Sequence, residues 1–367
     1  MDISIYSVIM AVLWFSIFAI VFSHIMRKNQ FIQSFNIWLL VLLAALCIAR
    51  AVVAIELPWV KIIHSYTLFP AIREFLQYPL FANITVLTVL IALWIIGSIS
   101  MLVRLILNYV RIYRWLSTLS QTTNPTLLSI AKDICQTSKS VMVYQAAEIK
   151  SPMLTGFIKP IILLPDVDLP DAYIRYILLH EYSHFKHGDI WAKCFLNILC
   201  CFLWWHPFSY TLRSDLDHSL EIKCDTEVIS NMTEDERIEY FEMIKNIASK
   251  TKRKSHSFTV GLVSAKHEKQ LIQRFQLGLN YKKKKHYIAN TIFCIVLIAV
   301  FIFSYTFIIQ PASFPEEDAG IFEITPDNAY IVDNGNGTYS IYVNNMYMCD
   351  INSVDIEPYS QLQIIER

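Results

Sequence analysis

The chain has 367 residues, 31 basic against 31 acidic side chains, 54% hydrophobic residues and only 17% charged ones, with a mean hydropathy of +0.41. Soluble domains run nearer to about 45–50% apolar and about 25% charged, so this composition points to a membrane protein, and eight glycines exclude a collagen-like or glycine-rich chain. The zero net charge adds two unlike parts, because residues 311–367 hold ten acids and one base and the rest of the chain carries the compensating excess of bases.

Four stretches, 4–25, 36–55, 82–103 and 288–309, approach the roughly 20 residues that cross a bilayer. The first is too long, and lacks the small-residue cleavage site, for a removed signal peptide. Basic residues collect on cytoplasmic flanks. Arg27 and Lys28 follow the first stretch, Arg104, Arg111 and Arg114 follow the third, and Lys282 to Lys285 precede the fourth. The amino terminus, the loop 56–79 and the acidic tail are therefore expected outside, with residues 107–287 in the cytoplasm. The eight cysteines show no C-x-x-C spacing, which argues against a disulfide framework or a zinc ribbon.

Between the third and fourth stretches lies His180-Glu181-Tyr182-Ser183-His184. Residues four apart on a helix share a face, so the two imidazoles can bind one Zn²⁺ while Glu181 stands beside them as a base toward water. Pro170 suits the first turn of that helix after Asp168, and Gly188 suits its end. A hydrolytic zinc site needs a third protein ligand and an open position. Downstream, Glu221 can complete the set and Asp225, one turn later, can hydrogen-bond a ligand histidine. Glu227 is a rival third ligand. His187 is more simply a solvated helix residue, and Tyr210, Arg213 and His218 are unranked candidates for stabilising an oxyanion. Upstream, SVMVYQAAEI and GFIKPIILLP read as strands, one of them a candidate edge on which an extended peptide could add.

With SPMLTGFIKPIILLP (151–165), HEYSHFKHGD (180–189), WWHPFSYTLR (204–213), EIKCD (221–225) and HEKQLIQRF (267–275) in place, the chain resembles the BlaR/MecR-type regulatory membrane zinc metallopeptidases, a gluzincin-like family, over roughly residues 1–310. The resemblance implies His180, His184 and Glu221 as metal ligands, Glu181 as general base, and Asp225 and Asp189 as supporting residues. It also implies a protein substrate, with a DNA-binding repressor as the candidate, and no direct contact with nucleic acid.

The run 190–212 is a fifth apolar stretch. A full crossing would set about 30 Å of hydrocarbon between His184 and Glu221, which then could not share one ion. The expectation is a buried or partly membrane-embedded helix holding the protease against the inner face. In the tail, YIVDNGNGTYSIYV carries a hairpin signal at Asn334 to Gly337. No lysine follows Lys285, so a Ser-x-x-Lys nucleophile of the penicillin-binding type, and hence β-lactam acylation, is not expected in this chain.

The expected fold is thus a multi-pass α-helical plasma-membrane protein with a cytoplasmic α+β gluzincin-like zinc protease domain and a small β-rich external module. The expected boundaries are 1–106, three transmembrane helices; 107–287, protease; 288–309, fourth helix; and 310–367, acidic tail. Its expected function is a zinc endopeptidase acting as an antirepressor. The alternatives are a transmembrane receptor or scaffold with a structural zinc, and a prenyl-protein-type membrane protease.

Overall fold

The computed structural model describes residues 4–81, 84–135, 141–149, 151–167, 169–252, 261–281, 287–311, 324–326, 328–335, 337–344, 346–354 and 359–366. Asp168 and Lys282 to Lys285 fall outside them. Two compact units form, residues 1–63 with 71–310 and residues 64–70 with 311–367.

In the larger unit, α1 (Ile5–Met26) starts at Ser4, whose hydroxyl accepts from the Ser7 N–H while the Ser7 side chain accepts from Ser4 N–H, a reciprocal cap that satisfies two orphan donors. Then follow α2 (Asn29–Ser34) and α3 (Ile37–Val52), the latter capped by Asn36. Next come β1 (Lys61–Ser65), α4 (Leu68–Gln77), β2 (Pro79–Phe81), β3 (Ile84–Thr85) and the 31-residue α5 (Val86–Leu116). Helices α1 and α5 are long and apolar enough to cross a bilayer. The other two expected crossings form shorter apolar helices, α3 with 16 residues and α12 (Tyr287–Phe303) with 17.

Between α5 and α12 lie α6 (Pro125–Cys135), a three-stranded sheet and five helices. The sheet has the order β4 (Met142–Ala146), β6 (Ile161–Pro165), β5 (Met153–Thr155), with β4 parallel and β5 antiparallel to β6. Both predicted strand segments thus join one sheet, and β5 is an edge that packs beside α7. The helices are α7 (Asp171–Lys186), α8 (Asp189–Phe202), α9 (Pro207–Ile229), α10 (Glu234–Lys252) and α11 (Gly261–Leu279). The run 190–212, expected as one helix, is two. Residues 203–206 break it, and Pro207, which lacks an N–H, takes the first turn of α9, where no partner is needed.

Helix α9 runs through two cores. On one side Leu212, Leu216 and Leu220, spaced by four, pack with Phe15 and Phe22 of α1, Leu40 and Leu43 of α3 and Leu196 of α8. Further along, Ile229 joins Val143, Ile162, Leu178 and Tyr240. Each fully buried aliphatic or aromatic side chain contributes about 1.5–3 kcal/mol, so the apolar helices and the sheet are joined through this element.

Helix α12 leads to β7 (Phe307–Pro311). In the smaller unit β8 (Ala329–Asp333), β9 (Tyr339–Val343) and β10 (Met346–Ile351) form an antiparallel meander, and β11 (Gln363–Glu366) returns parallel to β8. The expected hairpin is β8–β9, with Gly335 and Gly337 both at positive φ in its turn. Ala329, Ile331, Ile341, Val343 and Leu362 make its small core.

One glycine sets the site's frame. Gly188 ends α7 and opens α8 at φ +70, and a Cβ there would meet nothing within 4 Å, so only the backbone conformation selects glycine. Gly188→Asn is expected to hold the thermal midpoint within about 2 °C, because asparagine tolerates the left-handed region, while Gly188→Val lowers it by several degrees. Equal midpoints for the two variants, measured by thermal unfolding in detergent, would show that this turn is unstrained.

Candidate metal centre

Helix α7 places His180 and His184 one turn apart, with ring centroids 5.0 Å from each other and planes at 81°. Helix α9 brings Glu221 against both: His180 Nε2 lies 3.3 Å from Glu221 Oε2 and His184 Nε2 lies 3.4 Å from Glu221 Oε1. A donor from each of the three fits within 4.8 Å. Donors bound tetrahedrally to zinc at about 2.0–2.1 Å stand roughly 3.3–3.4 Å apart, so the His–Glu separations suit a shared ion.

The other ring nitrogens are held from behind. His180 Nδ1 meets the Tyr240 hydroxyl at 2.9 Å and Asp225 Oδ1 at 3.3 Å, and Tyr240 donates to Asp225 Oδ1 at 2.7 Å. His184 Nδ1 meets Asp189 Oδ2 at 2.7 Å, and Asp189 also accepts from the buried Lys223 ammonium. With each Nδ1 occupied, each Nε2 is the nitrogen that faces Glu221, which is how supporting carboxylates orient imidazoles at metal sites. Arg274 of α11 closes the cluster: Nε and Nη2 donate to Asp225 at 2.6 and 2.8 Å, and Nη1 lies 3.1 Å from Glu221. Lys193 of α8 stands 3.8 Å from Glu221.

These contacts set the charges. Burial pushes the His180 imidazole down, but hydrogen bonds and attraction from Asp225 and Glu221 lift it to about 9. Burial opposes the charge on His184 in the same way, and Asp189, Cys224 and Glu221 raise it to about 12. For Glu221, burial raises the carboxyl, but Arg274 and the two histidines hold it well below the usual range. Glu181 is buried beside the triad, and desolvation with the Glu221 charge raises its carboxyl above the ordinary value despite the two imidazoles. A raised carboxyl is what a base that must later return a proton needs.

The remaining candidates are engaged elsewhere. Glu227, the rival third ligand, accepts from Ser183 at 2.6 Å and pairs with Lys186 at 3.0 Å and His187 at 3.3 Å. His218 is bound to Gln273 at 2.8 Å and Tyr210 donates to the Trp204 carbonyl at 2.9 Å, while Arg213 is exposed on α9. Tyr240, Arg274, Lys223 and Lys193 were not singled out by sequence reasoning. Arg274 lies in the segment 267–275 that carries the resemblance, and Lys223 in EIKCD, but Tyr240 has no local signal. A second donor group, His184, Asp189 and Cys224, shares His184 and coincides with its support.

A family model described as BlaR1 peptidase M56 matches residues 1–277, three quarters of the chain. The chain belongs to that family. It is 28% identical over 196 residues to "Regulatory protein BlaR1" of Bacillus licheniformis, which covers 52% of this chain and 32% of that protein. It is also 26% identical over 219 residues to "Methicillin resistance mecR1 protein" of Staphylococcus aureus strain Mu50, covering 57% and 34%. The chain therefore spans about a third of the length of these relatives. M56 is a metallopeptidase family, in keeping with a His/Glu donor set on α7 and α9.

An ion held by these donors would have to displace the protons that the raised imidazoles hold at pH 7, so metal binding is expected to release up to two protons, with affinity rising about tenfold per pH unit for each proton lost up to about pH 9. Calorimetry in buffers of different ionisation enthalpy reads the number, and no release at pH 7 would contradict the assigned charges. Without metal the sign is the reverse for folding. The ion pairs add stability below the ordinary imidazole value of about 6.5 and lose it as pH rises through about 9. Asp225→Asn is expected to weaken zinc binding by about 10–100-fold.

Proposed function

We propose that this chain is a membrane-bound zinc endopeptidase whose site faces the cytoplasm and cuts a protein there in response to a signal, with a DNA-binding repressor as the candidate substrate. The observation that carries this reading is the buried carboxyl of Glu181 beside the His180, His184 and Glu221 donor set, each histidine fixed by its own carboxylate. An ion held by those three residues would supply Lewis acidity toward a peptide carbonyl and lower the pKa of water at the site.

The chain's own residues do the rest. Glu181 takes a proton from the attacking water and returns it to the amide nitrogen as the peptide bond breaks, and its raised carboxyl value suits both halves of that transfer. Asp225 with Tyr240 and Asp189 with Lys223 keep the two imidazoles from turning. Arg274 balances Glu221 and Asp225 while their charges are buried. The open edge of β5, beside α7, suits an extended substrate that adds as a strand.

Arg27 and Lys28 after α1, and Arg104, Arg111 and Arg114 in the second half of α5, orient residues 107–287 toward the cytoplasm, with the acidic residues 311–367 outside. A structural zinc would be closed by four protein ligands. Among the described residues the donor group His180, His184 and Glu221 has three, which favours the enzyme over a receptor or scaffold.

Glu181→Gln is expected to retain zinc and to lower cleavage by at least about 100-fold. Comparing the cytoplasmic cleavage products of cells carrying the native chain and the variant tests this. Identical products, with metal content unchanged, would rule out the assigned base.

A further inference from the structure

The broken apolar run is placed against the middle of α1 and the first half of α5, the two candidate spans. At its turn, His206 Nε2 lies 3.0 Å from Ser16 Oγ, and its ring packs at 5.3 Å on Phe15. Both residues stand at the midpoint of α1 (Ile5–Met26). On the other side Trp94 Nε1 donates to the Phe202 carbonyl at 2.8 Å and Trp204 Nε1 to the Trp94 carbonyl at 3.5 Å, while Gly97 leaves the space that the Trp204 ring fills. Trp94 and Gly97 are eight and eleven residues into α5, about 12–17 Å along its axis.

The return limb agrees in depth. Gln273 donates to the Met26 carbonyl at 2.8 Å and meets His218 Nε2 at 2.8 Å, so His218 stands level with the end of α1, where Arg27 and Lys28 begin. From His206 to His218 and from Ser16 to Met26 the chain climbs by nearly the same length, roughly 15–18 Å. The outward stripe of α8, Trp191, Phe195, Ile198 and Phe202, follows helical spacing and stays 59%, 50%, 37% and 40% exposed, although Trp191 packs on Phe157 and Phe202 on Trp94. A continuous apolar stripe of this kind is a liability in water and is satisfied by acyl chains.

We infer that α8 and the first half of α9 form a re-entrant hairpin, which enters the cytoplasmic leaflet, turns at residues 203–206 near the bilayer midplane, and returns to the same side. Its partner is lipid hydrocarbon on the α8 stripe. This rests on α1 and α5 being spans. The hairpin explains how the 23-residue run 190–212 can lie between Asp189 and Glu221 while both reach one site. Fourteen residues of α8 lead down about 21 Å and fourteen of α9 lead back to Glu221. With half the hydrocarbon about 15 Å thick, the donor set lies about one helical turn beyond its cytoplasmic edge. The scissile bond of any substrate must therefore come to the membrane surface.

The test uses the full chain with the exposed Cys349 changed by Cys349→Ser, carrying one added cysteine and a nitroxide label, in nanodiscs of phosphatidylcholine and phosphatidylglycerol. Trp205→Cys reports the turn, Ile17→Cys the middle of α1, Lys186→Cys the cytoplasmic end of α7, and the parent without an added cysteine gives the background. Depth is read from relaxation by oxygen against relaxation by a water-soluble nickel chelate. The label at 205 is expected within about 5 Å of the depth of the label at 17, with the label at 186 open to nickel. Nickel access at 205 equal to that at 186 would overturn the hairpin, as would a position in the outer headgroups, which means a full crossing. Nickel access at 17 would instead overturn the reading of α1 as a span. Should Trp205→Cys fail to fold, Phe195→Cys and Ile198→Cys must show increasing depth in that order, and equal aqueous exposure of both would overturn the proposal.

Discussion

Glu221 and Asp225 lie one turn apart on α9, and the neighbouring elements are arranged so that neither carboxylate is buried without a counter-charge. Arg274 reaches both from α11, the two histidines reach them from α7, and Lys193 approaches Glu221 from α8. An uncompensated buried carboxylate costs several kcal/mol, and removing one member of such a cluster commonly costs about 3–5 kcal/mol. The cluster therefore fixes the mutual positions of α7, α9 and α11. A divalent ion between the imidazoles and Glu221 would replace protons that the same imidazoles otherwise carry.

The orientation of the imidazoles follows from the same arrangement. Asp189 opens α8 five residues after His184, across the left-handed Gly188, so the turn that ends one helix delivers the partner for its last functional side chain. Lys223, two residues beyond Glu221, neutralises Asp189 in turn. Five elements, α7 to α11, thus contribute to holding one small site, and α9, which carries Glu221, is also the helix against which α1 and α3 pack. A shift of those apolar helices would act on α9 directly, through the leucine seam at 212, 216 and 220.

Much of the site was legible because it is local. His180 and His184 share a helix face by spacing alone, Asp225 follows Glu221 by one turn, and Gly188 and Pro170 bracket the helix as their backbones require. The choice of Glu221 over Glu227 drew on resemblance, and geometry separates the two: Glu227 is engaged by Ser183, Lys186 and His187 of α7. Tyr240 and Arg274 meet the site across 60 and 49 residues of sequence from their partners His180 and Asp225, and no periodicity announces such contacts. The break in the run 190–212 had a local sign in His206-Pro207, yet continuous apolarity concealed the turn. In the tail the Asn-Gly turn marked β8 and β9, whereas β11 pairs in parallel with β8 across thirty residues and left no comparable trace.

On the proposed reading His180, His184 and Glu221 hold one ion, with Asp189 and Cys224 behind it. X-ray absorption at the zinc edge of the full chain loaded with one equivalent of metal tests it most directly. Nitrogen and oxygen neighbours alone are expected at about 2.0–2.2 Å, with imidazole scattering from two histidines and loss of the bound metal in Glu221→Ala. A sulfur neighbour at about 2.3 Å would place the ion in the His184, Asp189 and Cys224 group instead and contradict the account.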